Sequence, residues 1–142
     1  MDKNRLLAYT AITTMVSVIG FIIYVLFLLF YPITILKANV QPYKVKTPVV
    51  QRGGKVIYEV DACKFRDYQG SVTRFFQTEN LIVASEVTIG SILEGCAKKD
   101  IVVEVPSAML PGEYNLFIRV VYDINVLRKE TLSFTTEKFR IE

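Results

Sequence analysis

Residues 16–30 read Val16-Ser-Val-Ile-Gly-Phe-Ile-Ile-Tyr-Val-Leu-Phe-Leu-Leu-Phe30, and this stretch decides how the chain is organised. It belongs to a longer apolar run, because no Asp, Glu, Lys or Arg occurs from Leu6 to Leu36. The 26 residues from Leu6 to Tyr31 would form a helix of about 39 Å, which exceeds the ~30 Å hydrocarbon core of a bilayer. The sequence therefore predicts a tail over residues 1–5 and a transmembrane helix with its end over residues 6–36.

Signal peptides, buried soluble helices and type IV pilin helices also contain apolar runs, but each fits this one less well. A cleaved signal peptide has a shorter apolar core of about 7–15 residues and a small-x-small cleavage site, whereas Leu36-Lys-Ala-Asn39 is a poor site. A helix buried in a soluble protein would hardly extend this far without a charge. The apolar helix of a type IV pilin usually carries a Glu early in the run, and none is present here. These differences favour a retained span that ends or kinks at Pro32, which lacks a backbone N–H.

The charges that flank the apolar run indicate its orientation. Lys3 and Arg5 precede the run on a short tail, whereas Lys37 and Lys44 follow it at greater distances. Because basic residues near a span tend to stay in the cytoplasm, we expect a cytoplasmic N-terminus and an extracytoplasmic C-terminal domain.

The charge balance of the remaining chain does not suggest nucleic acid as a partner. Removing Asp2, Lys3 and Arg5 from the 17 basic and 14 acidic residues leaves 15 and 13 after Leu36. A nucleic-acid-binding domain usually has a clustered basic face, and no run of like charges occurs here. The expected partner of the N-terminal segment is the lipid bilayer, and the remaining stretch of about 100 residues is enough for one domain.

After the apolar run, apolar and polar residues alternate with a period of two, which is typical of strands. Residues 37–48 are expected to form a linker leading into a first strand, and residues 49–142 an all-β domain. About seven strands at hairpin spacing predict a β-sandwich. A loop is expected at Asp123–Lys129. The expected strands are Lys55–Phe65, Ser71–Gln77, Leu81–Val87, Asp100–Val105, Tyr114–Tyr122 and a final strand formed by Thr131–Phe134 with Lys138–Ile141.

The clearest strand follows the turn Leu110-Pro-Gly-Glu-Tyr114. Its apolar face contains Tyr114, Leu116, Ile118, Val120 and Tyr122. In immunoglobulin-like sandwiches, a tyrosine at the start of the penultimate strand bonds its hydroxyl back to the backbone across the corner. Tyr114 is a candidate for this structural tyrosine corner, and a simple core aromatic is the alternative.

Cys63 and Cys96 are the two cysteines of the chain, so one intramolecular pairing exists. A disulfide would close a loop of 34 residues and stabilise the domain by roughly 3–4 kcal/mol. An extracytoplasmic location would favour the bond, and two buried free thiols in a cytosolic domain are the alternative. In antibody domains the second cysteine lies two residues after the corner tyrosine, where this chain has Leu116, and the chain has no Trp. The sequence therefore predicts a generic immunoglobulin-like sandwich rather than an antibody-type domain.

The chain lacks residues that several kinds of catalysis and metal binding usually require. The chain contains no His, which removes the commonest general base, the Ser–His and Cys–His pairs and most transition-metal sites. Gly53-Gly54 is expected to form a turn rather than a phosphate-binding loop. Glu59 and Asp61 stand two apart on one strand and are expected to be solvated. We therefore expect no enzyme activity, cofactor or metal.

Phe75 and Phe76 are consecutive residues of an expected strand. Because successive strand residues point to opposite faces, one of the two rings must face away from the core. The pair is therefore a candidate contact surface, unless a second sheet covers the outward ring.

Short motifs follow one another through the β domain from Arg52 to Glu142. They are Arg52-Gly-Gly-Lys55, Asp61-Ala-Cys-Lys64, Gly95-Cys96, Val105-Pro-Ser-Ala-Met-Leu-Pro-Gly-Glu-Tyr114, Tyr122-Asp-Ile-Asn-Val-Leu-Arg128 and Thr136-Glu-Lys-Phe139. On these residues, the stretch resembles small membrane-anchored proteins encoded in bacteriophage genomes. The resemblance implies an immunoglobulin-like domain without an assigned activity. Such sequences often have Asn-Pro-Leu-Arg where this chain has Asn125-Val-Leu-Arg128, so the proline that would make the loop rigid is missing.

These observations predict a non-enzymatic, membrane-anchored binding or structural module of a phage or bacterial envelope or virion membrane. Its expected partner besides lipid is another envelope or virion protein. One alternative is an accessory subunit of a membrane protein complex, because small residues at helical spacing favour oligomerisation through the helix. These residues are Thr10, Thr14, Ser17 and Gly20. An accessory role in phage lysis or superinfection control is a further alternative, since either requires an envelope anchor.

We expect the protein to stay in the membrane fraction after alkaline carbonate washing, with residues 1–36 still attached. The physical reason is the uncharged run from Leu6 to Leu36, because exposing this much apolar surface to water is unfavourable. Immunoblotting of washed membranes and the mass of the intact protein provide the measurement. A soluble species that begins near Ala38 would instead indicate a cleaved signal peptide.

Overall fold

The computed structural model describes residues 3–79, 81–85, 87–90 and 94–142. Within these residues the chain forms one helix, α1 (Lys3–Phe30), and eleven strands. The strands are β1 (Leu36–Ala38), β2 (Lys44–Val45), β3 (Val49–Val50), β4 (Lys55–Lys64), β5 (Gly70–Gln77), β6 (Ile82–Ala84), β7 (Thr88–Gly90), β8 (Gly95–Glu104), β9 (Gly112–Asn125), β10 (Arg128–Thr135) and β11 (Phe139–Ile141). Met1 and Asp2 of the expected tail, and Glu86 of the expected strand Leu81–Val87, lie outside the described residues.

The strands form two open sheets. In the first sheet, β4 pairs with β1, β2 and β8. In the second, the strand order is β3-β11-β9-β5-β6, with β10 paired to β9 and β7 paired to β5. The prediction of a predominantly β domain after one apolar helix is confirmed. The described chain divides into two units, one with the residues up to Ile33 and the turn Asn125–Arg128, the other with residues 34–124 and 129–142.

The alternation along β9 explains how the second sheet covers the core. Every second residue from Tyr114 to Tyr122 is buried, and the residues between them are partly or fully exposed. β5 runs antiparallel to β9 over eight residue pairs, from Gly70 opposite Tyr122 to Gln77 opposite Asn115. Gly70 has no side chain, and a Cβ at this position would come within 2.7 Å of the Tyr122 ring. The strand therefore requires glycine where it starts against this buried tyrosine.

Aromatic side chains from both sheets contribute to the buried core. The ring of Tyr43 lies 6.2 Å from that of Tyr58 on β4 and 5.6 Å from that of Phe134 on β10. All three are buried. The Arg74 Nε on β5 donates a hydrogen bond of 3.1 Å to the Tyr58 hydroxyl. Large buried rings contribute much of the apolar area that stabilises a domain of this size.

The first sheet is built on a ladder of ten residue pairs between β4 and β8, from Lys55 opposite Glu104 to Lys64 opposite Gly95. Cys63 and Cys96 are directly opposite in this ladder and form a disulfide, with their Cα atoms 3.9 Å apart. The predicted bond is therefore present. It joins neighbouring strands of one sheet, whereas the antibody-domain disulfide joins two sheets.

Tyr114 is the third residue of β9 and has features of both roles considered from the sequence. Its side chain is buried, so it is a core aromatic. Its hydroxyl also donates a hydrogen bond of 2.9 Å to the carbonyl oxygen of Leu110, across the turn that precedes the strand.

Several segments differ from the sequence-based expectation; the expected strand Asp100–Val105, for example, overlaps the longer β8, Gly95–Glu104. The expected linker 37–48 contains the end of β1 and all of β2, which pair with β4. Most of the expected loop Asp123–Lys129 is strand, because β9 extends to Asn125 and β10 begins at Arg128. The expected final strand is two strands, since β10 ends at Thr135 and β11 starts at Phe139. In each case, pairing with a partner strand overrides weak local preferences.

We expect Cys63→Ser to lower the melting temperature of the detergent-solubilised protein by about 10 °C or more, because opening the 34-residue loop removes ~3 kcal/mol of stabilisation from a domain of about 100 residues. The Cys63→Ser/Cys96→Ser double variant should be little less stable than either single variant, since one substitution already breaks the bond. Ala97→Ser, an exposed neighbour on β8, is the matched control. An unchanged melting temperature, or two free thiols in alkylated native protein, would contradict the prediction.

Candidate membrane anchor and contact surface

The candidate anchor is the apolar part of α1. The 24 residues Leu7–Phe30 have a mean hydropathy of 2.5, and none of the window is buried. At ~1.5 Å per residue, this stretch is about 36 Å long, which is enough to cross a bilayer core of ~30 Å. By length and composition, α1 is therefore apolar enough to span a membrane.

The hydroxyl groups of α1 have acceptors within the helix itself. Thr13, Thr14 and Ser17 each donate to the carbonyl oxygen four residues earlier, at 2.8–2.9 Å. Thr10 donates to the carbonyl of Leu7 at 2.9 Å. These bonds reduce the cost of placing the hydroxyls in an apolar environment.

The C-terminal end of α1 receives hydrogen bonds from a distant turn. The carbonyl of Leu28 would ordinarily accept from the N–H of residue 32, but Pro32 has none. The Asn125 Nδ2 donates to this carbonyl at 3.1 Å. The Arg128 Nη1 donates to the carbonyl of Tyr31 at 2.6 Å. Two carbonyl groups at the helix end, where intrahelical donors run out, are therefore satisfied by side chains.

The candidate contact surface lies on the face of the second sheet opposite the core. Phe75 on β5 is directly opposite Phe117 on β9, and their ring centroids are 6.1 Å apart. The guanidinium carbon of Arg119 lies 5.6 Å from the centroid of Phe75 and 5.9 Å from that of Phe117. These distances are within the range of a cation–π interaction. We call Phe75, Phe117 and Arg119 the aromatic–arginine cluster; both rings are partly exposed and Arg119 is exposed.

The structure corrects the expectation for Phe76. Its side chain is 0% exposed and packs edge-to-face against Phe139, with ring centroids 6.2 Å apart. Phe75 is the ring that faces away from the core, as the strand alternation requires for one of the two. Phe76 therefore belongs to the core and not to a contact surface.

Sequence reasoning missed Phe117 and Arg119 as members of this surface. The alternation along β9 was a signal for both, because they lie between buried positions of the strand. The register that places Phe117 opposite Phe75 joins strands far apart in sequence and has no local signature. The capping roles of Asn125 and Arg128 were missed for the same reason, since their acceptors are 97 residues away.

Four charged side chains form a network on the first sheet. Lys46 Nζ lies 2.7 Å from Asp100 and 3.4 Å from Glu59, and Lys98 Nζ lies 2.8 Å from Glu59. The hydrogen bond from Lys98, with that from Lys46, holds the pKa of Glu59 below its ordinary value. Hydrogen bonds to Asp100 and Glu59 raise the pKa of Lys46, and the bond to Glu59 raises the pKa of Lys98. A carboxyl group that serves as a general acid needs a raised pKa, so this network favours ion pairing over acid catalysis.

A shallow groove of about 540 Å³ lies between the end of β8 and parts of β5, β6 and β7. Its charged lining residues are Arg74 and Glu104. The guanidinium of Arg74 donates to the hydroxyls of Tyr58 and of Thr88, the latter at 2.7 Å. Burial raises the pKa of Tyr58, although Arg74 opposes the shift. Burial also raises the pKa of Tyr43 to about 12. Both phenols therefore stay protonated at neutral pH and do not act as bases.

Groups that could bind a metal ion are absent from the described residues. No cluster of three or more His, Cys, Asp or Glu side chains occurs in that part of the chain. Of the two carboxylates noted in the sequence, Glu59 is held by lysines, and Asp61 accepts a hydrogen bond of 2.6 Å from Asn39.

Comparisons with known proteins do not assign the chain to a family. No protein-family model matches the sequence, and no curated protein matches it. Among solved structures, the chain is similar to the crystal structure of a β-glucosidase from Listeria innocua in complex with glucose, with a TM-score of 0.33 and 13% identity. The similarity covers 73% of this chain and 16% of that enzyme, so this chain spans a small part of its length. A similarity at this level carries no argument about fold or activity.

We expect the destabilisation caused by Glu59→Gln to depend on pH. The folded-state pKa of Glu59 lies below its ordinary value of 4.5, so its ion pairs contribute stability above about pH 4.5 that is lost as the pH falls through the folded pKa. The difference in melting temperature between wild type and variant should be present at neutral pH and shrink below pH 4.5. Glu104→Gln is the control, because that exposed carboxylate is 3.6 Å from one lysine. A difference that is equal at pH 7 and at pH 3 would contradict the prediction.

Proposed function

We propose that the protein is a non-enzymatic, membrane-anchored binding module of a phage or bacterial envelope or virion membrane. The observation that carries the proposal is the aromatic–arginine cluster on a β domain joined to an apolar helix. In this proposal α1 anchors the chain in lipid, and the cluster of Phe75, Phe117 and Arg119 binds another envelope or virion protein.

The composition and geometry of the cluster support a role in protein binding. Aromatic residues and arginine are enriched at the energetically dominant positions of protein interfaces. The two rings are held by strands in register, so little side-chain entropy is lost when a partner covers them. Arg119 lies over both rings, and its exposed guanidinium is available to an acidic or aromatic group of a partner.

We further propose that the β domain is an immunoglobulin-like sandwich located outside the cytoplasm. The hydrogen bond from the Tyr114 hydroxyl to Leu110 supports the fold. The disulfide between Cys63 and Cys96 supports an oxidising compartment, and Lys3 and Arg5 support a cytoplasmic N-terminus. The resemblance of the stretch Arg52–Glu142 to phage-encoded membrane-anchored proteins supports the envelope or virion location.

A second candidate function is that of an accessory subunit held in a membrane complex through α1. Its supporting observation is the series of small residues at helical spacing. A Cβ at Gly20 would have no heavy atom within 4 Å, and the hydroxyls of Thr14 and Ser17 are bonded within the helix. This face therefore permits close approach of a second helix.

The experiment that tests the proposal compares the proteins that co-purify with three forms of the full chain. The chain is extracted in mild detergent from the membranes in which it is made, as wild type, as Phe117→Ala/Arg119→Ala and as Val102→Ala. Val102 is a matched control because it is 54% exposed on β8 of the other sheet. We expect one partner to be retained by wild type and Val102→Ala, and its recovery to fall at least tenfold in the double variant, since losing anchor residues at an interface costs ~2 kcal/mol or more.

The melting temperature of the double variant provides the check on folding, and it should fall by only a few degrees, because Phe117 is partly exposed and Arg119 is exposed. Equal recovery of the partner by a folded double variant would contradict binding through the cluster. If Gly20→Leu then removes the partner, the accessory-subunit function replaces the proposed one.

A further inference from the structure

The turn between β9 and β10 has an unusual composition for its position. It consists of Val126 and Leu127, which are 99% and 51% exposed. Tight turns usually contain Gly, Asn, Asp, Ser or Pro, each for a conformational reason. Here Asn125 supplies the turn-forming group, since its Oδ1 accepts a hydrogen bond of 2.9 Å from the Leu127 N–H. The conformation of the turn therefore does not explain why the two residues at its tip are apolar.

This tip is fixed to the C-terminal end of α1. The residues on either side of it, Asn125 and Arg128, donate to the carbonyls of Leu28 and Tyr31. The tip and the last turn of the helix are consequently at the same level along the helix axis. The last turn of α1 has no basic residue of its own, so Arg128 supplies the positive charge that a helix C-terminus favours.

The depth of this helix end in a bilayer follows from the length of the apolar stretch. Leu7–Phe30 is about 36 Å long as a helix, roughly 6 Å more than the hydrocarbon core. Tyr31, whose ring lies 4.8 Å from that of Phe27, is the kind of residue that occupies the membrane–water interface. A group held at the level of Leu28–Tyr31 is therefore at the boundary between acyl chains and headgroups.

We propose that Val126 and Leu127 form a second membrane contact, in which the tip of the β9–β10 hairpin inserts into the lipid interface beside the end of α1. The inference rests on the proposed span of the bilayer by α1. Lipid is the occupant that the geometry favours, because the apolar tip lies beside the end of an apolar helix of which no part of the spanning window is buried. Arg128, on the polar side of the tip, is placed as interfacial arginines are, with its charged group at headgroup level.

The absence of tryptophan from the chain permits a direct test by fluorescence. The full chain is reconstituted into phosphatidylcholine–phosphatidylglycerol vesicles whose acyl chains are brominated near the headgroup, and quenching of a single introduced indole is measured. The test variant is Val126→Trp, and Phe30→Trp reports on the helix end. Leu110→Trp is the matched control, because Leu110 is an exposed apolar loop residue, at 66%, that precedes β9 rather than following it. All three indoles share the preference of tryptophan for interfaces.

We expect the Val126→Trp and Phe30→Trp variants to be quenched to a similar extent, and each severalfold more than Leu110→Trp. If Val126→Trp is quenched no more than Leu110→Trp while Phe30→Trp is strongly quenched, the span is supported and the inserted tip is wrong. If Phe30→Trp is not quenched either, the anchor fails and the tip with it. Strong quenching of Leu110→Trp as well would contradict insertion confined to the tip.

Discussion

The alternation of side chains along β9 is the constraint on which the rest of the β domain depends. A strand places successive side chains on opposite faces, so five buried residues from Tyr114 to Tyr122 fix which face of the second sheet meets the core. β5, β10 and β11 all pair with this strand. Their side chains must therefore alternate between the two faces in step with those of β9. A shift of one residue in the β5–β9 register would expose Phe76 and bury Phe75. The same constraint therefore creates the core and the outward aromatic–arginine cluster.

Features with a local origin were predicted from the sequence. The helix and the long strands β4 and β9 each have a characteristic pattern of apolar residues within a short window, and the turn before Tyr114 contains a Pro-Gly pair. The pairing of the two cysteines followed from their number rather than their position. The short strands were missed or shifted, because β1, β2 and β3 have two or three residues each and exist through their partners. A loop was expected at Asp123–Lys129, yet the pairing of β9 with β10 makes most of that segment strand.

The candidate sites were predicted only in part, for a physical reason. One ring of the pair Phe75-Phe76 had to face outward, but the sequence does not say which. Phe117 and Arg119 join Phe75 through a register that links residues more than 40 positions apart, and cross-strand neighbours depend on that register alone. The ionic network of Lys46, Glu59, Lys98 and Asp100 likewise combines residues of three segments. It holds Glu59 ionised and both lysines protonated, which suits a stable surface better than proton transfer.

The C-terminal end of α1 depends both on a local residue, Pro32, and on hydrogen bonds from residues distant in sequence. Pro32 stops the helix and removes the donor that the Leu28 carbonyl would have used. In water such a carbonyl would be hydrated, but near the acyl chains an unsatisfied carbonyl is costly. Asn125 and Arg128 supply the missing donors from 97 residues away, and this requires that the hairpin be formed with its tip beside the helix end. In the proposed membrane contact, the residues between those donors would be held at the same apolar boundary, where Val126 and Leu127 would be more favourable than the polar residues that a solvated turn carries.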